Sequence, residues 1–269
     1  MNNSVELVCD KEKDVEGEGR YLYCVVEIGR KKTFRKFGVD EEDVYTIPYR
    51  GISAVAHPCP PRPYQSDDRE LVKKWLLQHQ EVVNFFFERC DAVLPLAFDT
   101  IIKGSDADAD EKVRNWLKEE YSNLRRKIEK IRGKQEFGVQ ILWDSKSIAD
   151  ELRNESIEIQ KMLNEIASKP RGLAYMYEQK LKDVMKKELE NKAEEYSREF
   201  YSTIRSHVDD VRIEKISNVD GDRQMIMNLS CLIQKGRVQE LGRELDRINS
   251  IPHISVRFTG PWPAYSFMT

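Results

Sequence analysis

The sequence predicts a mixed α+β protein of two domains. The N-terminal one is α+β, and the C-terminal one runs β-α-β-β-α-β with an enlarged helical segment and an aromatic C-terminal tail. Three observations carry this reading. Short β-branched and aromatic runs with period-two alternation recur along the chain. Between them lie longer stretches whose apolar residues return every three or four positions. The length, 269 residues, corresponds to about two domains at ~150 residues each.

Residues 1–19 show no sustained period and are expected to be mobile. Arg20 to Ile28, rich in β-branched and aromatic residues, reads as the first strand. Shorter strands follow near Val44–Ile47 and Gly51–Ala56, then a proline-rich loop from Pro58 to Pro63 that carries His57 and Cys59. Asp67 and Asp68 precede a helix with the stripe Leu71/Val72, Trp75/Leu76, His79, Val82/Val83 and Phe86/Phe87. Val93 to Phe98 is apolar but holds Pro95, which cannot donate to a ladder, so it reads as an edge or terminal strand. One helix then runs from Ser105 to Arg132, burying Val113, Trp116/Leu117, Leu124, Ile128 and Ile131. Its opening acids, Asp106, Asp108 and Asp110, stand where a helix N-terminus favours negative charge. Gly133 ends it and bounds a first domain of 20–133.

In the second domain, 134–258, Phe137, Val139, Ile141 and Trp143 alternate along one face of a strand. Two helical stretches follow, split at Pro170, because proline breaks the backbone ladder. The first buries Ile148, Leu152, Ile159, Met162/Leu163 and Ile166; the second carries an unbroken stripe from Leu181 to Val208. Val211, Ile213 and Ile216 begin a strand, Asp220-Gly221 supplies a hairpin turn, and Met225 to Ile233 reads as a central strand. A helix through Val238, Leu241, Leu245 and Ile248 precedes a closing strand with Ile254, Val256 and Phe258. That order is ferredoxin-like.

Composition excludes several function classes. Charged residues make up 34%, above the ~25% of ordinary proteins, yet 44 basic against 47 acidic residues leave a net charge of −3. Balanced charge argues against a polyanion binder, and it lacks the acidic excess of a high-salt cytosol. Five scattered cysteines without a C-x-x-C pair indicate a reducing compartment. The polar N-terminus does not read as a signal peptide, and the longest apolar run, Ala92 to Phe98, is far short of the ~20 residues of a membrane span. The expectation is a cytoplasmic protein with no membrane and no nucleic-acid partner.

No catalytic constellation emerges. Neither Gly133-Lys134 nor Gly17-Glu-Gly19 has the glycines of a phosphate-binding loop. Asp106, Asp108 and Asp110 imitate a calcium loop, but Glu111 stands at the glycine position and Leu117 at the bidentate acid. His79 sits on an apolar helix face, as packed core histidines do, and Cys90 is about 16 Å further along that helix at 1.5 Å per residue. His57 and Cys59 have no second ligand pair nearby. The central strand holds none of the stacking aromatics that an RNA-recognition sheet needs. The reading is no enzyme, with no catalytic residue, no cofactor and no metal.

The distinctive cluster is the tail, 259–269. Pro261 and Pro263 stiffen it, Gly260 permits a tight exit from the last strand, and Trp262, Tyr265 and Phe267 offer large apolar area. It either folds over its own sheet, bridges the domains, or forms a partner-binding surface, for which Trp262, Tyr265, Phe267, Pro261 and Pro263 are the candidate contacts.

The ending Thr259-Gly-Pro-Trp-Pro-x-Tyr-x-Phe267 resembles the terminal signature of the gas vesicle protein F/L family (GvpL/GvpF). Tyr21-Leu-Tyr23, Val93-Leu-Pro-Leu-x-Phe98 with Thr100, Gly133-Lys-x-Glu-Phe-Gly-Val139 with Trp143, and Gly172-x-Ala-Tyr175 resemble its other motifs in order. Ala97 and Asp99 depart from it, standing where the pattern has a basic residue and a glycine. The resemblance implies a non-enzymatic accessory or minor structural protein of the gas vesicle. Its expected partners are the very hydrophobic vesicle shell protein and other accessory proteins, and its expected place is the cytoplasm, at the vesicle. It also implies two domains, the second ferredoxin-like. The rival reading is a cytosolic regulatory or small-ligand-binding protein, supported by fold analogy alone.

Overall fold

The computed structural model describes residues 18–104, 108–216 and 223–268. Most of the segment expected to be mobile, together with Ser105, Asp106 and the Asp220–Gly221 turn, lies outside the described residues. The chain separates into two compact units, Met1–Arg132 and Gly133–Thr269.

In the first unit, β1 (Gly19–Val26) pairs antiparallel with β4 (Ile52–Cys59), which pairs with β3 (Val44–Tyr49) and, beyond it, β2 (Thr33–Phe34). On its other side β1 pairs with β5 (Val93–Pro95) and β6 (Ile101–Lys103). All eight β1 residues are buried, which requires cover on both sheet faces. Alternation shows how. Tyr21 bonds to His79 of α1 (Arg69–Phe87), while Arg20, on the opposite face, bonds to Asp110 of α2 (Ala109–Glu119). Asp68 caps α1, accepting from the backbone N–H groups of Glu70 and Leu71.

The structure corrects several expectations here. The single helix from Ser105 to Arg132 is two, α2 and α3 (Tyr121–Ile131), bent at Glu120, whose φ and ψ are −85° and 2°. No glycine or proline marks the bend, and the hydrogen bonds of Glu120 and Leu124 continue through it. His57 and Cys59 belong to β4 rather than to a loop. Leu76 is exposed, off the α1 core face. Strands β2 and β6, of two and three residues, are too short to show a period.

In the second unit, β7 (Lys134–Asp144), β8 (Asp210–Ile213), β9 (Arg223–Gln234) and β10 (Ile254–Trp262) form an antiparallel sheet in the order β10-β7-β9-β8. Phe137, Val139, Ile141 and Trp143 of β7 and Met227, Leu229, Cys231 and Ile233 of β9 build one core face. Four helices follow: α4 (Ser145–Glu155), α5 (Ile157–Ser168), α6 (Arg171–Ser206) and α7 (Val238–Asn249). Phe200 and Ile204 of α6 and Leu241, Leu245 and Ile248 of α7 close the core.

The first helical stretch expected here is two helices, because the Ser156 hydroxyl caps a new start by accepting from Ile159 N–H. Of its expected buried residues, only Ile148 and Ile159 are fully buried. The stripe on α6 also changes along its length. At 1.5 Å per residue α6 is about 54 Å long, against about 40 Å for the twelve residues of β9. Only its last turns fully bury side chains, and Leu173, Tyr175 and Met176 in its first turns are exposed.

Candidate functional site

The tail folds onto its own sheet. β10 pairs with β7 from Ile254 opposite Trp143 to Thr259 opposite Gly138, then again at Trp262 opposite Glu136. Gly260 occupies the register shift with φ of 126°, where a Cβ would lie 2.8 Å from Phe137 Cδ1 and 2.9 Å from Glu136 O. Only glycine suits that position. Past Trp262 the chain makes a one-turn 3-10 helix, Tyr265–Phe267, on the sheet face opposite the core helices. That face is set by alternation: Glu136 and Ser230 point away from Phe137 and Cys231.

A polar chain fixes the tail there. Glu136 accepts from Ser266 N–H at 2.9 Å and from the Ser266 hydroxyl at 2.6 Å. The Ser266 and Ser230 hydroxyls are 3.0 Å apart, and Ser230 donates to Glu214 at 2.9 Å. Burial raises the Glu136 pKa, opposed by the Ser266 bonds and supported by the nearby Glu214 charge. Phe267 is 2% exposed, with the Arg212 guanidinium 5.5 Å from its ring centre. Of the candidate contacts, Pro263 and Phe267 are buried, Tyr265 is half-buried, and Pro261 and Trp262 are exposed. Trp262, at 48%, is the large apolar group the tail offers to solvent.

A second apolar surface was hidden in the sequence. A groove of about 920 Å³ runs between α6 and the start of β9. Trp143, Met185, Leu189, Ile216, Met225 and Ile226 line it, and Lys182, Lys186, Glu190, Glu194 and Arg198 edge it. Polar groups along it satisfy one another: Trp143 Nε1 donates to Gln224 Oε1 at 3.2 Å, and Ser197 Oγ to Ile226 O at 3.4 Å. What remains exposed in it is mainly apolar. The signal for it was the excess length of the α6 stripe over any strand that could cover it.

The histidines sit in the core of the first unit. His57 Nδ1 meets Tyr23 OH at 2.8 Å and its Nε2 meets Tyr64 OH at 3.0 Å. His79 Nδ1 meets Tyr21 OH at 2.8 Å, while its Nε2 is buried without a hydrogen bond of normal geometry. Burial lowers both imidazoles to a pKa of about 4, so both rings are neutral at pH 7. Burial also pushes the Cys59 thiol up to about 11 and Cys231 up to about 12, away from thiolate chemistry. Among the described residues no group of three or more His, Cys, Asp or Glu side chains is placed to hold a metal ion. No described helix is long and apolar enough to cross a membrane.

Residues 19–269 match the family described as "Gas vesicle synthesis protein GvpL/GvpF". The chain belongs to this gas vesicle protein family. It is 27% identical to gas vesicle protein L1 of Halobacterium salinarum, over 97% of this chain and 94% of that protein. Gas vesicle protein L2 of the same organism is 28% identical, over 93% and 91%. The fold is shared with the crystal structure of GvpF from an Anabaena species, with a TM-score of 0.75 at 19% identity over 94% of this chain and 98% of that one. GvpF from Microcystis aeruginosa aligns with a TM-score of 0.66 at 16% identity, over 93% and 99%. In this member the stretch Thr259–Phe267 comprises a strand end, the glycine shift at Gly260 and the Ser266 contacts that seat Phe267.

Proposed function

We propose that this GvpL/GvpF protein is a non-enzymatic accessory or minor structural component that binds the hydrophobic shell protein and supports gas vesicle assembly. The family match across residues 19–269 carries the reading. The exposed Trp262 and the apolar groove beside α6 support it, since large apolar groups left in contact with water mark interaction surfaces. In this reading the protein is cytoplasmic and vesicle-associated, with other accessory proteins as further partners. The split between Arg132 and Gly133 supports two domains, 20–133 and 134–258, followed by the tail. The order β10-β7-β9-β8 supports a ferredoxin-like second domain with a long helical insertion.

Capture of purified shell protein by the full chain tests the reading, together with deletion and complementation scored by gas-filled vesicles. Normal vesicles without the gene would overturn the assembly role. The tail is tested by Trp262→Ala, because a truncation before Thr259 also removes the buried Phe267. Reduced capture by a folded Trp262→Ala variant is the expected result; undiminished capture removes Trp262 from the contact.

A further inference from the structure

The rim of the α6 groove carries an ordered set of charges. Lys182, Lys186, Glu190 and Glu194 follow one another at four-residue steps, about 18 Å from first to last. Lys186 and Glu190 make only a loose 3.9 Å pair while 76% and 63% exposed, and Lys182 and Glu194 are in no ion pair among the described residues. Along one edge of the apolar floor the groove thus presents two lysines and then two glutamates, with Arg198 one further step beyond Glu194. Met185 and Met225 in that floor adapt their shape to what lies on them.

The backbone beside the floor narrows the kind of occupant. β9 is bulged at Ile226, which is skipped between the pairs Ile141–Met227 and Leu142–Met225. The Ile226 carbonyl is taken by Ser197 Oγ and the Asn228 carbonyl by Glu214 N–H. An added strand needs a row of open backbone groups in register, and at Ile226 and Asn228 the carbonyls are already taken. A helix satisfies its own backbone and needs only an apolar stripe and complementary flanks.

We propose that this groove receives an amphipathic helix of the shell subunit, with acids opposite Lys182 and Lys186 and bases opposite Glu190 and Glu194. This rests on the shell-binding reading and assigns it a surface and a partner conformation.

Three synthetic 18-residue helical peptides sharing one leucine-rich face test it against the full chain by fluorescence anisotropy. One is flanked by glutamate in one half and lysine in the other, one by glutamate throughout, one by lysine throughout. The two-block peptide binds tightest, by about tenfold at low salt, and the advantage shrinks at high salt. Lys182→Glu/Lys186→Glu, which changes only exposed rim positions, makes the all-lysine peptide the tightest binder. A ranking indifferent to charge or unchanged by the double variant overturns the proposal. So does equal binding of a proline-interrupted two-block peptide, which would indicate an extended occupant, or a wild-type dimer that the double variant dissociates, which would indicate a second copy. Shell capture separates the two levels. If wild type captures the shell protein and the double variant captures it equally, the groove fails and shell binding stands. If wild type captures none, the shell-binding reading itself fails.

Discussion

Ser266 places both its backbone N–H, at 2.9 Å, and its hydroxyl, at 2.6 Å, on the carboxyl group of Glu136, 130 residues earlier in the chain. Ser230 extends the contact, its hydroxyl 3.0 Å from that of Ser266 and donating to Glu214 at 2.9 Å. Burial raises the Glu136 pKa, and the Ser266 bonds, which favour the charged form, oppose that rise.

The sign of the resulting pH dependence follows. A carboxyl whose folded pKa exceeds its unfolded one holds more protons folded than unfolded, so its stability contribution is present at low pH and lost as pH rises through the folded pKa. Wild type should therefore lose stability relative to Glu136→Gln as pH rises above the ordinary carboxylate range, as read by paired urea denaturations. A difference that stays flat with pH would mean that Glu136 is ionised throughout. Ser266→Ala, which strips one bond from the buried acid, is expected to cost about 1–3 kcal/mol.

Two rings five residues apart in the tail should behave oppositely. Phe267 is 2% exposed, so Phe267→Ala is expected to cost about 3–5 kcal/mol of folding stability. Trp262 is 48% exposed, and Trp262→Ala should cost well under that, about 1 kcal/mol or less. Denaturant midpoints of the two variants decide whether the tail is a structural strap with one outward ring or a wholly outward surface.

The core histidines give a third expectation. With folded pKa values of about 4 against about 6.5 unfolded, the unfolded chain binds more protons between those limits. Stability therefore falls as pH drops from 6.5 toward 4. In an NMR titration the ring protons of His57 and His79 should stay in their neutral positions down to about pH 5. Movement of the His57 or His79 signals near pH 6.5 would show that the tyrosine contacts do not bury them as described.

What the sequence revealed followed from periodicity. The alternation of Phe137, Val139, Ile141 and Trp143 and the apolar run from Met225 to Ile233 correspond to β7 and the central β9. Asp68, which precedes the α1 stripe, caps that helix. Long-range polar pairing was not legible, because no period links Glu136 to Ser266 or Arg20 to Asp110. Bends without a breaker residue, as at Glu120, leave no compositional trace either. Asp99 shows how a departure from a pattern becomes intelligible. It stands where the motif that the sequence resembles would place glycine, and its φ of 66° is left-handed, a conformation aspartate tolerates better than most residues. There its carboxylate accepts from Tyr64 N–H at 2.9 Å.

Asp110 separates two readings of the same residue. As one of several acids at the start of a helix it would contribute through the helix dipole, a weak and salt-screened effect. In the structure it accepts from Arg20 Nε at 2.6 Å and from Tyr45 OH at 2.7 Å, tying α2 to β1 and β3. The Tyr45 and Arg20 hydrogen bonds outweigh its partial burial and lower its pKa. Asp108, by contrast, caps α2 without a side-chain hydrogen bond. Asp110→Asn keeps an acceptor for Tyr45 but removes the charge facing the nearly buried Arg20, so it should cost about 1–3 kcal/mol. Asp108→Asn should fall within about 0.5 kcal/mol of wild type. Equal and salt-sensitive losses in the two variants would favour the dipole account, whereas a loss confined to Asp110 that persists in high salt identifies the partly buried Arg20–Asp110–Tyr45 contact as what holds α2 on the sheet.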